Sequence, residues 1–225
     1  MTPKTTYDKE IDSIGTINYL PWIGSNFENT RIQIIGDSHY DDGDGWLPGN
    51  RYATRQLIHN NGLNSDKPNY SKAPFLRVVE KVICNKQLTT PAERATFWNN
   101  VSFSNLSQRL MPTRHDRPND DDFDIGWTSF LQYALIVKPT ICIKLAYDGL
   151  GRLGYYMNNH IEEWHTNSQE FWKKPYVINL RHIPTDYQTK IVVIKHPTGT
   201  RGFKSSEWSD LILKEFPNIK GLLGL

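Results

Sequence analysis

Two short segments concentrate side chains able to do acid, base or electrostatic chemistry. The first is Gly36-Asp37-Ser38-His39-Tyr40, where a carboxylate, a hydroxyl, an imidazole and a phenol follow a glycine in unbroken succession. A glycine after an apolar run lets the backbone turn sharply and sets the next side chains at a structural edge. The second is Lys195-His196-Pro197-Thr198-Gly199-Thr200-Arg201-Gly202-Phe203. Pro197 stiffens the chain behind His196, so the imidazole is rigidly presented. Thr198, Thr200 and Arg201 in the loop beyond it suit contacts to phosphate. Between the two, Asn105 ends the run Val101-Ser-Phe-Ser104.

These groups need elements to hold them. Four short, β-branched runs read as strands: Arg31 to Ile35, Val101 to Ser104, Thr140 to Leu145 behind Lys138-Pro139, and Lys190 to Ile194. Helical patterns lie between them, over Ala73 to Ile83, Asp121 to Val137 and Glu207 to Phe216. The second carries acidic residues in its first turn, which suits the helix dipole. The third puts Trp208, Leu211, Ile212 and Phe216 on one face and stops before Pro217. Strands separated by helices predict a parallel sheet covered on both faces, hence an α/β fold: a three-layer α/β/α sandwich on a short central parallel sheet of about four strands. Functional groups in such sheets sit beyond the carboxyl ends of the strands. Asp37, Asn105 and His196 are all expected there, outside the core.

In chain order these segments resemble the motifs of the uracil-DNA glycosylase superfamily: a Gly-x-x-x-Tyr water-activating loop, an Asn ending the second strand and a His-Pro-Ser loop ending the last. Here they read Gly36 to Tyr40, Phe103-Ser104-Asn105 and His196-Pro197-Thr198. Arg201-Gly202-Phe203 is similar to the family's downstream Arg-Gly-Phe. Lys138-Pro139-Thr140-Ile141, with Gly149 and Leu153, is similar to its third strand and the helix behind. The resemblance spans Arg31 to Trp208. It implies one glycosylase-like domain over residues 1–225, with residues 1–30 as an N-terminal extension packed on it.

The resemblance implies a monofunctional DNA glycosylase that uses no cofactor and no metal. Cleaving a base–sugar bond passes through an oxocarbenium-like state, positive on the sugar and negative on the leaving base. Asp37 would orient water, His196 would stabilise the leaving base, and Asn105 would read a flipped pyrimidine. Tyr40 or Trp46 would stack on that base, with Gly36, Ser38, His39 and Thr198 completing the substrate contacts. Lys195, Gly199, Thr200, Arg201 and Lys204 would meet the DNA. Asp41, Asp42 and Asp44 crowd the first loop and are alternative water-activating groups. Ser38 stands where the uracil-specific enzymes carry aspartate, and Gly199-Thr200 replaces their bulky wedge. Both departures favour a larger modified base, such as glucosylated hydroxymethylcytosine in phage DNA, over plain uracil. That points to antiviral defence, with housekeeping repair as the alternative.

Two readings of other classes stand beside this one. Asp37-x-His39 resembles the first ligand block of calcineurin-like metallophosphoesterases. The later blocks of that family have no good counterpart, because Gly43-Asp44 and Gly49-Asn50-Arg51 follow too closely and the second lacks histidine. A non-catalytic DNA-binding relative would use the same basic edge without chemistry.

Composition bounds these choices. Across 225 residues, 26 Lys and Arg against 24 Asp and Glu leave a net charge of +2, which excludes an acidic disordered chain and a histone-like binder. Two cysteines cannot build a disulfide framework or ligate an iron–sulfur cluster. No apolar run approaches the ~18 residues of a membrane span. Met1 to Asp12 is polar and unlike a signal peptide, so a cytoplasmic monomer is expected. Local charge is uneven. Arg181, His182, Lys190, Lys195, His196, Arg201 and Lys204 are opposed within their stretch only by Asp186, which predicts a positive edge beside the pocket.

Overall fold

The computed structural model describes residues 2–41, 49–63, 73–113, 115–168, 171, 176–197 and 202–225. Its first half runs through helix α1 (Asp8–Asp12), strand β1 (Trp22–Ile23), α2 (Phe27–Thr30), β2 (Ile32–Gly36), β3 (His39–Tyr40), α3 (Ala53–Leu57) with a π-helical turn behind it, α4 (Ala73–Cys84) and α5 (Pro91–Asn100). Its second half continues with β4 (Val101–Asn105), β5 (Leu110–Met111), α6 (Asp120–Val137), β6 (Ile141–Leu145), α7 (Leu150–Asn159), β7 (Trp164–Thr166), β8 (Val177–His182), β9 (Tyr187–Ile194), α8 (Ser205–Glu215) and α9 (Ile219–Leu223).

All four apolar runs form strands, and together they make the parallel centre of the sheet in the order β4-β2-β6-β9. β2 and β6 are mostly apolar because both of their faces are covered, while β4 alternates apolar residues with serine and still buries Ser102. The parallel part has the four strands expected, and antiparallel strands at its edges bring the sheet to seven among the described residues. β1 adds antiparallel to β4 at one edge, and β8 and β7 extend the other edge antiparallel beyond β9. β1 and β7 are two and three residues long, too short to show a period. β8 lies outside the four runs read as strands, although Val-Ile-Asn-Leu-Arg-His alternates buried and exposed positions from Ile178 onward. A small parallel pair, β3 with β5, sits apart from the main sheet.

Helices cover both faces, giving the α/β/α layering. On one face Ile32, Ile34, Phe103, Ile143 and Val192 pack against side chains of α4, α5 and α8, among them Val79, Trp98 and Ile212. On the other, Ile35, Cys142, Ile191 and Val193 pack against α6 and α7 through Trp127, Ala134 and Leu153. Alternation along each strand assigns neighbours to opposite layers. Residues before β2 are built into the core as well as packed upon it. Ile11, Ile14, Leu20, Ile23 and Phe27 join the α6 layer, and Trp22 Nε1 donates to the Trp98 carbonyl at 2.7 Å.

The helix starts follow local chemistry. Thr90 and Glu93 close a capping box around α5, with Pro91 in its first turn. Asn119 and Asp122 do the same for α6. Among the described residues no helix is long and apolar enough to cross a membrane.

Candidate functional site

β2 and β4 run parallel with Gly36 opposite Asn105, so both chains leave the sheet at one edge. Gly36 remains within the strand, and its φ lies outside the positive region that only glycine adopts freely. The expected sharp turn is therefore not its role. A Cβ on Gly36 would overlap Oδ1 of Asn105 and crowd the Phe103 ring, so the glycine makes room for the amide. The loop after Asn105 is pinned in turn. Leu106 N donates to the Gly36 carbonyl at 3.0 Å and Ser107 N to the Asp37 carbonyl at 2.8 Å. Gln108 ties this loop to the N-terminal segment: its Nε2 donates to the Asn105 carbonyl at 2.9 Å, and its Oε1 accepts from Asn18 N at 3.0 Å.

Asp37 is not the solvent-facing strand-end group expected. It is 8% exposed, and its Oδ1 accepts from the ammonium of Lys144, which is fully buried. Among the described residues, Oδ2 of Asp37 has no hydrogen-bond partner. Lys144 belongs to β6, the neighbour of β2, where Ile35 pairs with it in register. Its Nζ also donates to the Leu145 carbonyl at 2.7 Å and the Ala146 carbonyl at 3.2 Å. Ala146 holds a φ of +77°, a region costly for any residue with a Cβ. Its N–H donates to the Ile194 carbonyl of β9 at 2.9 Å, fastening the ends of β6 and β9 together.

His196 lies two residues past the end of β9 and is half-buried, stacked on Phe75 of α4 with ring centres 5.8 Å apart and planes 20° from parallel. Neighbouring strands lie ~4.8 Å apart, so β4, β2, β6 and β9, which carry or lead into Asn105, Asp37, Lys144 and His196, span roughly 14 Å across the sheet. Three of these four groups were expected from the sequence. Lys144 was not, because a lone lysine in an apolar run carries no local sign of a partner.

The remaining expected contacts divide. His39 is 5% exposed, its Nε2 within 2.8 Å of Thr54 Oγ1 and its ring edge-on to Tyr19, so it braces the loop from inside. Tyr40 is half-buried in β3 beside Met111. Ser38 Oγ is buried without a partner among the described residues. Asp41 is exposed, its N–H bonded to the Met111 carbonyl at 2.8 Å. Lys195 is half-buried, and Lys204 is exposed and paired with Glu207 at 3.1 Å. Asp42, Asp44, Trp46, Thr198, Gly199, Thr200 and Arg201 lie outside the described residues.

The basic stretch does not form one edge. Lys190 starts the parallel pairing of β9 and lies roughly 20 Å along the strand from His196. Arg181 and His182 sit at that far end too, opposite Gln188 and Tyr187. Lys190 pairs with Glu215 at 3.3 Å and Arg181 with Asp186 at 2.7 Å, while His182 is buried against Thr185.

No group of three His, Cys, Asp or Glu able to hold a metal occurs among the described residues. Asp37 and His39 in particular engage different partners, Lys144 and Thr54. Cys84 and Cys142 are buried, and burial pushes both thiols up to about 12, so neither offers a thiolate. Comparison of the chain with protein-family models and with curated proteins finds no match.

Proposed function

We propose that this chain is a DNA glycosylase that hydrolyses the N-glycosidic bond of a modified pyrimidine flipped out of DNA. The observation that carries the reading is the order of an amide, a carboxylate and an imidazole at or just beyond the ends of three parallel strands. Asn105 reads the flipped base, Asp37 orients the attacking water through Oδ2, and His196 donates toward the leaving base. A sugar lying between Asp37 and His196 meets the separation of charge that the oxocarbenium-like state requires. Tyr40 flanks the base, and the segment after His196 meets the backbone phosphates. The reading takes the chain as a cytoplasmic monomer.

The substrate is a bulky modified base. Polar groups around the first loop, Ser38 among them, suit a hydroxylated or glucosylated substituent, and plain uracil would leave them unpaired. The role that follows is defence against phages with hypermodified DNA. The test is to give the purified chain uracil-containing duplex and phage DNA bearing glucosylated hydroxymethylcytosine, in EDTA, and to quantify free base and abasic sites. Release of the modified base is expected to be faster. Faster release of uracil would reassign the role to repair. Activity that EDTA abolishes would favour the phosphoesterase, and binding without product a non-catalytic module.

A further inference from the structure

Lys144 is costly where it stands. Taking an ammonium fully out of water is expensive, and an apolar residue of similar volume at such a position commonly serves stability as well or better. The cost is met locally by saturation. A lysine ammonium has three N–H donors, and here each has an acceptor: Asp37 Oδ1, the Leu145 carbonyl and the Ala146 carbonyl. Ala146 reaches its place at a positive φ, a conformation held only where the surroundings impose it. A carboxylate and a strained backbone thus converge on a single buried ammonium. The carboxylate follows directly on β2, which lies between the strands that lead to Asn105 and His196.

We infer that Lys144 is a positioning residue for the reaction proposed above, an inference that rests on that reading. The ammonium grips Oδ1 and fixes the plane of the Asp37 carboxylate, which leaves Oδ2 as the oxygen that orients water at the sugar. Lys144 itself touches neither water nor DNA, because it is fully buried and its donors are occupied. Its effect passes through Asp37 alone.

The experiment compares wild type with Lys144→Met, Lys144→Arg, Asp37→Asn and Asp37→Asn/Lys144→Met, measuring single-turnover base release and DNA affinity separately. Lys144→Met is expected to slow release by about 10²–10³-fold, the scale of losing a preorganised electrostatic group, with affinity within about threefold of wild type. Lys144→Arg is expected to recover part of the rate. In the Asp37→Asn background, Lys144→Met is expected to cost nothing more, because both changes remove the same oriented carboxylate. The double variant carries no buried charge at this position, so the comparison holds even if Lys144→Met alone fails to fold. A double variant well below Asp37→Asn, or a Lys144→Met enzyme with full rate and altered affinity, overturns the inference while leaving the glycosylase reading intact. A wild-type chain that releases no base from any of the DNAs ends both.

Discussion

Oδ1 of Asn105 lies where a side chain on Gly36 would begin. Two residues 69 positions apart thereby share one volume, and the missing Cβ of the first sets the aim of the second. Gly36→Ala is expected to push the amide aside, destabilise the chain by about 1–3 kcal/mol through overpacking, and lower base release to the level of Asn105→Ala. Thermal unfolding and release kinetics check this. Full activity in Gly36→Ala beside an inactive Asn105→Ala would show that the glycine does not aim the amide.

Removing His196 is expected to slow base release by about 10²–10³-fold with little change in the unfolding midpoint, since the ring is half-buried and lies beyond the end of β9. Asp37→Asn should cost a similar factor and keep an acceptor for Lys144. Asp37→Ala should in addition destabilise by about 3–5 kcal/mol, because it leaves a buried ammonium unpaired. Near-wild-type turnover in both His196→Ala and Asp37→Asn would refute the site.

The product is expected to be an intact abasic strand. Strand scission by a glycosylase needs an amine free to form a Schiff base with the sugar. Lys144 has all three donors engaged inside the core, and Lys195, one residue past the end of β9, is half-buried. Borohydride added during turnover should trap no covalent protein–DNA adduct. An adduct would overturn this, and its loss in Lys144→Arg or Lys195→Arg would name the amine.

Glu93 closes the capping box of α5, accepting from the N–H groups of Thr89 at 2.9 Å and Thr90 at 3.1 Å and from Lys86 at 3.1 Å. Backbone hydrogen bonds from Thr89, then the Lys86 ammonium, hold its carboxyl down to about 2. A carboxyl lower in the folded than in the unfolded chain adds stability above its ordinary value of 4.5, and that stability is lost as pH falls toward 2. Glu93→Gln is expected to be less stable than wild type at pH 7, with a gap that closes between pH 4.5 and 2 in denaturant titrations. A gap unchanged across that window would refute the assignment.

Much of this architecture is written in short stretches of the chain. Ile32 to Ile35 and Ile191 to Ile194 read as buried strands and are so, and Trp208 to Phe216 carries its helical stripe in its own spacing. Asp37, Asn105 and His196 were legible for the same reason, since each stands where an apolar run stops. Thr90-x-x-Glu93 and the alternation of β8 are equally local signals. What only the tertiary structure decided depends on register across crossovers. Lys144 and Asp37 are 107 residues apart, and they meet because β6 docks beside β2 with Ile35 opposite Lys144. The basic stretch from Arg181 to Lys204 reads as one patch along the chain. An extended strand carries its two ends roughly 20 Å apart, so the fold leaves Arg181 and Lys190 at one end of the sheet and His196 at the other. Periodicity is a property of neighbours in sequence, whereas a site on a sheet edge is made by neighbours in space, chosen by which faces pack together.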